Sequence, residues 1–260
     1  NKEEPMYNDE YAASVAGAAA KVGLLKKNPL GYFLLSALAG AYIGFGILLS
    51  FTVSGTLGAI PMNKIAMGLS FGIALSLVVI AGAELFTGNA FVLYNGWRSK
   101  TVTLTDVVRL WVVCYLGNWF GAIVLSLIFY GAAGAAGSTG QALANAAAMK
   151  MSLPPLVLFL KGILCNVLVC LAVWCGFRCK SDSGKLIMVF WCLYAFFTCG
   201  FEHSVANMTV LTLGLLNPAG TAVSLGGYFY NLFMVTLGNL VGAILFLSIP
   251  YGIAAKKIGD

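Results

Sequence analysis

Long apolar stretches separated by short polar segments run through almost the whole chain. A stretch of about 20 apolar residues is long enough to cross the hydrocarbon core of a bilayer as a helix. Two of the stretches are too long for one straight crossing, so the pattern predicts an all-α membrane protein in which the second and fifth of six spans are broken. The predicted spans are 31–54, 65–97, 105–130, 154–178, 185–215 and 227–254.

Polar residues interrupt the two long spans at corresponding places. The first interruption reads Gly-Ala-Glu-Leu-Phe-Thr-Gly-Asn over 82–89, and the second reads Gly-Phe-Glu-His-Ser-Val-Ala-Asn over 200–207. Both fit the pattern G-x-E-x4-N, and they lie 118 residues apart. Ionisable groups at membrane depth are costly and usually mark a solute pathway, which makes Glu84 and His203 the first candidates for one.

Three spans in each half require the second half to insert upside down relative to the first. We therefore expect an aquaporin-like inverted 3+3 repeat, over about 31–130 and 154–254, whose breaks meet near the bilayer midplane. Backbone N–H groups at the start of each half-helix are expected to point into the cavity, where their partial positive charge favours anions. The alternative is a pair of kinks whose polar groups are satisfied internally.

Basic residues are distributed unevenly between the two sides of the predicted bundle. Only Lys64 and Lys150 fall on the side away from the termini. Because cytoplasmic loops carry an excess of lysine and arginine, both termini are predicted to lie in the cytoplasm. The residues on the terminal side are Lys21, Lys26, Lys27, Arg98, Lys100, Arg178, Lys180, Lys185, Lys256 and Lys257.

Little of the chain lies outside the spans. Residues 1–30 are predicted to be a cytoplasmic segment, in which 7–24 form a helix at the membrane interface because small apolar and polar residues alternate there at helical spacing. Residues 31–254 form a single channel domain and 255–260 a cytoplasmic tail. The first 30 residues are polar and charged, so we expect no cleavable signal peptide.

Composition supports the membrane class and argues against an enzyme. The chain is 60% hydrophobic and 9% charged, with a mean hydropathy of +0.91. The net charge of +6 comes from loops and gives no reason to expect nucleic acid. The seven cysteines lie mostly in apolar segments without close C-x2-C pairs, which favours packing over metal or redox roles. No P-loop or dinucleotide fingerprint occurs, so we expect neither cofactor nor metal.

His203 is the only histidine and the strongest candidate for pathway chemistry. A lone histidine can also be a packing residue, but Glu202 precedes it and the position is a helix break. Histidine changes protonation near neutral pH, so it could give a proton or a hydrogen bond to an anion. Thr87, at the paired break, supplies a hydroxyl donor, and Asn166 in span four could orient the histidine or line the pore.

Two lysines near span four have open roles. Lys150 stands just before the span, where it either attracts anions into a vestibule or is a solvated loop residue. Lys161 lies about two turns inside the span, where it could snorkel to the surface or pair with a carboxylate.

Three segments resemble signatures of the formate/nitrite transporter family: Gly162–Ala172 in span four and the two break motifs. The resemblance covers essentially the whole chain. It implies a homopentamer with one pore per protomer in the bacterial inner membrane, passing small monovalent weak-acid anions: formate, nitrite, hydrosulfide and, in some members, lactate or acetate. Leu-Phe-Thr-Gly-Asn at the first break looks most like the hydrosulfide ion channel branch, although no residue excludes formate.

The resemblance also assigns residues. The family's central histidine falls on His203, its partners on Glu202, Asn166 and Thr87, and its vestibule lysine on Lys150. Hydrophobic constrictions flanking the histidine fall on Phe71, Leu75, Leu85, Phe86, Val169 and Phe196.

The sequence therefore predicts an anion channel, with hydrosulfide favoured and formate or nitrite next. Anions would gather at Lys150 and the half-helix ends, and His203 would discharge them at an apolar constriction. The closest rival is a neutral-solute channel for water, glycerol or ammonia. A structural or regulatory membrane subunit is the second rival and an intramembrane enzyme the third. The choice between a channel and a proton symporter stays open.

Overall fold

The computed structural model of the chain describes residues 7–255, and all regular structure in that range is helical. Residues 1–6 and 256–260, which include most of the predicted tail, lie outside the described range. Two of the helices each contain one π-helical turn, at Val78–Gly82 and Ile244–Ser248. The helices are α1 (Asn8–Lys27), α2 (Pro29–Leu57), α3 (Asn63–Gly82), α4 (Phe86–Arg98), α5 (Leu104–Gly131), α6 (Gly137–Ser152), α7 (Pro155–Arg178), α8 (Asp182–Cys199), α9 (Ser204–Leu216) and α10 (Leu225–Ala254).

Six helices, α2, α3, α5, α7, α8 and α10, are long and apolar enough to cross a membrane. The shorter helices α4 and α9 directly follow α3 and α8 and complete the second and fifth spans. The predicted all-α fold of six spans with breaks in the second and fifth is thereby confirmed.

Each broken span changes direction over only a few residues. Irregular backbone covers 83–85 in the second span and 201–203 in the fifth, which is narrower than the predicted interruptions. Gly82 (φ 81°) and Gly200 (φ 74°) end the preceding helices in the left-handed conformation that glycine adopts without strain. The half-helices begin at once afterwards, so the asparagine that closes each G-x-E-x4-N motif lies in a helical turn.

Helix pairs α2–α5 and α7–α10 frame the two halves, and each pair crosses at glycine. A Cβ on Gly121 of α5 would overlap the backbone oxygen of Ala37 in α2. A Cβ on Gly242 of α10 would overlap the backbone oxygen of Ile163 in α7 in the same way. Small residues let membrane helices approach this closely. The same type of crossing occurs in both halves, as an inverted repeat requires.

Helices α1 and α6 occupy matching places beside the two half-helices. In α1, which was predicted to lie at the membrane interface, Ala18 is buried against α4, where a Cβ on Gly96 would meet it. In α6, Ala147 is buried against α9, where a Cβ on Gly214 would meet it. No helix was predicted at the position of α6, whose alanine-rich sequence is too weakly apolar for a span.

Gly121→Ala should destabilise the protein, because the new Cβ would force the backbones of α2 and α5 apart. We expect the free energy of unfolding to fall by about 1–3 kcal/mol, as in other overpacked contacts. Unfolding of the purified protein by SDS in mixed micelles measures it. The matched control is Gly131→Ala in the same helix, where a Cβ meets no atom within 4 Å. An equal loss in both variants would contradict the close crossing.

Candidate functional site

The two break motifs fold into the same hydrogen-bonded unit. Glu84 Oε2 accepts a hydrogen bond from Asn89 Nδ2 at 2.8 Å. Glu202 Oε2 accepts one from Asn207 Nδ2 at 2.6 Å. Because the half-helix begins within the motif, its asparagine turns back toward the glutamate. The G-x-E-x4-N spacing is thus explained by a side-chain hydrogen bond across the break.

Each motif glutamate also forms an ion pair with a lysine from the helix beside its half-helix. Lys150 Nζ of α6 lies 2.7 Å from Glu202 Oε1. Lys21 Nζ of α1 lies 2.6 Å from Glu84 Oε1, and Tyr32 donates a further hydrogen bond to Glu84 Oε2 at 3.0 Å. Sequence reasoning missed the role of Lys21, since it only counted that residue among the cytoplasmic charges. Lys150 is not a free loop lysine, because a buried carboxylate neutralises it.

A buried asparagine from α5 supports the first break. Asn118 Oδ1 accepts the backbone N–H of Phe86, the first residue of α4, at 2.9 Å. Asn118 Nδ2 donates to the backbone oxygens of Ser36 at 2.7 Å and Glu84 at 2.9 Å. One side chain therefore bonds two backbone groups at the break, where no helix can satisfy them, and ties the break to the backbone of α2.

Asn239 of α10 does the same at the second break. Its Oδ1 accepts the N–H of Ser204 at 3.0 Å, and its Nδ2 donates to the backbone oxygens of Gly162 at 2.8 Å and Glu202 at 3.0 Å. The prediction that the half-helix N–H groups point into the cavity is therefore wrong for Phe86 and Ser204. These groups are capped instead, because bare N–H groups at membrane depth are costly.

Sequence reasoning missed both asparagines, although a signal was present. Residues 116–123 read Leu-Gly-Asn-Trp-Phe-Gly-Ala-Ile, and residues 237–244 read Leu-Gly-Asn-Leu-Val-Gly-Ala-Ile. The shared L-G-N-x-x-G-A-I octet carries the buried asparagine together with the glycines of the helix crossing. A search for repeats in the third and sixth spans would have found it.

His203 lies between the two halves and contacts Thr87 of the opposite break. Nε2 is 2.9 Å from Thr87 Oγ1, and Nδ1 accepts the backbone N–H of Ala206 at 3.0 Å. Because Nδ1 is an acceptor, the proton of the neutral imidazole resides on Nε2 and is donated to Thr87. The hydroxyl proton of Thr87 then has no acceptor among the described residues.

Asn166 lies behind this pair. Its Nδ2 donates to the backbone oxygens of Thr87 at 3.2 Å and Asn239 at 2.7 Å. No hydrogen bond joins Asn166 to His203, and its buried Oδ1 has no partner among the described residues. Asn166 therefore ties span four to both breaks and positions the backbone that carries the threonine hydroxyl.

Apolar side chains close the centre of the chain around His203. They leave a void of about 10 Å³, which is about the space of one water molecule. We call this set the apolar seal. Five members were predicted as constrictions, whereas Ile43 and Leu193 were not. The seal comprises Ile43, Phe71, Leu75, Leu85, Val169, Leu193 and Phe196.

Phe86 does not belong to the seal. Its ring packs edge-on against Tyr115, with centroids 5.0 Å apart, and lines a lateral groove of α5 and α10. Neighbouring residues on a helix point about 100° apart, so Phe86 cannot face the centre when Thr87 does. The constriction predicted at Phe86 is therefore wrong.

A cavity lies on each side of the seal. The Lys150 vestibule has a volume of about 380 Å³ and is lined by Lys64, Lys150, Lys161, Glu202 and His203 among others. The Lys21 vestibule has a volume of about 630 Å³ and includes Lys21, Glu84, Lys185, Leu75 and Leu85 in its lining. Since His203 lines both the void and the first cavity, and Leu75 and Leu85 line both the void and the second, the three spaces are in series.

The described residues 7–255 contain no group of three or more histidine, cysteine, aspartate or glutamate side chains that could hold a metal ion. All seven cysteines are free thiols.

Comparison with known proteins identifies this arrangement. The model of the formate/nitrite transporter family matches residues 9–253. The chain belongs to the formate/nitrite transporter family. It is 38% identical to the nitrite transporter NirC of Salmonella typhimurium over 253 residues, which cover 97% of this chain and 93% of the relative. The family consists of membrane transporters and channels, which confirms that the chain is not an enzyme.

Solved structures of the formate/nitrite transporter family share the whole fold. A structure described as an FNT family ion channel superposes with a TM-score of 0.90 at 38% identity, covering 95% of this chain and 98% of that one. A pentameric formate channel with formate bound superposes with a TM-score of 0.79 at 30% identity, covering 88% of this chain and 98% of that one. The predicted family is confirmed.

Asn239→Ala should weaken the fold, because the buried N–H of Ser204 and the carbonyl of Glu202 at the break lose their side-chain partner. Each unsatisfied group costs about 1–3 kcal/mol, so we expect the free energy of unfolding to fall by at least about 2 kcal/mol. Asn118→Ala should cause a similar loss, since it breaks the equivalent bonds. SDS titration measures both, with exposed Gln141→Ala as the control. A loss no larger than that of the control would show that the asparagines are dispensable.

Proposed function

We propose that the chain is a channel for small monovalent anions of weak acids, with hydrosulfide as its first substrate and nitrite and formate as the alternatives. The observation that carries this proposal is the His203–Thr87 pair beside an apolar seal. Charged groups line the approaches, but only neutral groups lie at the narrowest point. A solute that arrives as an anion must therefore lose most of its charge to cross.

The neutral pair offers a hydrogen bond rather than a free proton. His203 Nε2–H donates to Thr87 Oγ1 at 2.9 Å, which leaves the threonine hydroxyl proton available to an anion. Full proton transfer from a neutral imidazole would leave an imidazolate, so the proton that discharges the anion has to come from the imidazolium form or from water in a vestibule. Strong-acid anions such as chloride do not accept that proton, so they should pass slowly.

The size of the central void favours the smallest of the candidate anions. A space of about 10 Å³ holds one water-sized particle. Hydrosulfide has one non-hydrogen atom, whereas nitrite and formate have three and would need the seal to open further. The first break motif, which resembles the hydrosulfide branch, supports the same choice. The similarity to a nitrite transporter and to a formate channel supports the two alternatives.

Topology and assembly are part of the proposal. The excess of basic residues on the terminal side supports a cytoplasmic location for α1 and for the Lys21 vestibule in a bacterial inner membrane. The Lys150 vestibule then faces outward. The likeness to a pentameric channel supports a homopentamer with one pore in each protomer.

His203→Phe should lower the flux of weak-acid anions at least tenfold, because it removes the donor at the seal while keeping an aromatic ring. Thr87→Val should also lower this flux. Thr87→Ser, which retains the hydroxyl, should restore the flux that Thr87→Val loses. Stopped-flow uptake into proteoliposomes measures the rates. Thr209→Val is the matched control, since that hydroxyl is buried without a partner among the described residues. Unchanged flux in His203→Phe would refute the donor role of His203 at the seal.

A panel of solutes separates the proposal from its rivals. Uptake of hydrosulfide, nitrite and formate should be fast, with hydrosulfide leading, whereas chloride and glycerol should enter slowly. The same stopped-flow assay with unmodified protein, against empty liposomes, measures all five. Entry of glycerol with exclusion of every anion would indicate a neutral-solute channel instead. No flux of any solute would indicate a structural or regulatory subunit.

A further inference from the structure

The Lys150 vestibule contains more positive than negative charge. Three lysines line it, Lys64, Lys150 and Lys161, against the single carboxylate of Glu202. Glu202 pairs with Lys150 at 2.7 Å. Across residues 7–255, Lys64 and Lys161 form no ion pair. The unbalanced charge of this cavity therefore resides in these two residues and not in Lys150.

The Lys21 vestibule differs, because among the described residues each lysine that lines it is paired with a carboxylate. Lys21 pairs with Glu84 at 2.6 Å, and Lys185 pairs with Asp182 at 3.3 Å. Both lysines that line this cavity thus have a carboxylate beside them. The two mouths of the same pathway differ in charge, although one inverted repeat builds both.

The repeat locates the difference at two positions. The N–H of the motif glutamate is accepted at 3.2 Å by the backbone oxygen of Lys161 in one half and of Leu35 in the other, so these residues are equivalent. The 118-residue offset between the motifs relates Lys64 to Asp182. One side therefore carries two lysines where the other carries a leucine and an aspartate.

We propose that Lys64 and Lys161 form an anion-collecting site in the Lys150 vestibule that takes small monovalent anions. A paired lysine and carboxylate act as a dipole whose field falls off quickly, whereas unpaired charges act over about 8 Å at physiological salt. A cavity with low-dielectric walls focuses that field and raises the local concentration of anions. The role of this site in transport rests on the proposed function, whereas the electrostatic field of the two lysines does not.

Cys199 provides a probe of that field. It is the exposed thiol of the chain and lines the same cavity. Lys64 Nζ would lie 3.3 Å from a Cβ on the adjacent Gly200, so the lysine is close to the thiol. Of the other thiols, Cys175 and Cys179 are partly accessible and can be changed to serine, and the remaining four are buried.

The first test compares two thiol reagents on this Cys175→Ser, Cys179→Ser background in detergent at low salt. Negatively charged sulfonatoethyl methanethiosulfonate should react with Cys199 faster than positively charged trimethylammonioethyl methanethiosulfonate, relative to their rates with free cysteine. Lys64→Gln and Lys161→Gln should each lower the ratio of the two rates roughly threefold or more. Lys27→Gln, an exposed lysine of α1, is the charge-matched control and should leave the ratio unchanged.

Removing both charges of the Lys150–Glu202 ion pair tests the assignment to Lys64 and Lys161 further. Joint Lys150→Gln and Glu202→Gln should change the rate ratio less than either single lysine change does. A ratio that falls with the joint change but not with Lys64→Gln or Lys161→Gln would overturn the proposal. So would a ratio that none of these variants alters.

The second test measures anion uptake from the Lys150 side at low ionic strength. Lys64→Gln with Lys161→Gln should raise the half-saturating anion concentration about three- to tenfold, leave the maximal rate unchanged and flatten the dependence on salt. A fall in the maximal rate alone would contradict a collecting role. If no anion crosses in unmodified protein while the reagent ratio behaves as expected, the proposed function fails and the collecting site stands.

Discussion

Everything at the centre of this protein depends on satisfying the backbone where two helices break at membrane depth. Water is absent there, so each free N–H or C=O would cost several kcal/mol. Asn118 and Asn239 remove that cost, because each bonds one N–H and two carbonyls around its break. A helix can therefore stop and restart within a few residues, and the chain gains a place to set polar side chains inside the bilayer.

The positions of the two ion pairs depend on these fixed breaks. With the backbone of Glu84 and Glu202 anchored, each carboxylate is held where a lysine from α1 or α6 can reach it. Taking an ion pair out of water is costly, and additional hydrogen bonds have to offset the loss. Asn89 and Asn207 supply them. Both mouths thereby carry charge without a bare buried ion, and the seal between them stays apolar.

The sequence pattern predicted those site residues whose polarity differs from that of the apolar residues around them. Glu84 and His203 are conspicuous because ionisable groups are rare in apolar spans. Lys21 was not recognised because its partner lies 63 residues away in the chain, and a terminal lysine is ordinary until a fold brings it to a carboxylate. The direction of Phe86 depends on where α4 begins, which spacing alone left open. Asn118 and Asn239 were within reach of prediction, since their repeated octet is written in the sequence.

The donor groups of the pathway lie at positions where the two halves differ in sequence. The 118-residue offset that matches the motif glutamates places Leu85 opposite His203 and Val205 opposite Thr87. A perfectly repeated chain would meet at its centre with two histidines or with none. Here one break supplies the imidazole and the other the hydroxyl, and the inverted fold brings them to 2.9 Å. The repeat thus builds a symmetric frame, whereas substitutions that break the symmetry make one donor pair in an otherwise apolar seal.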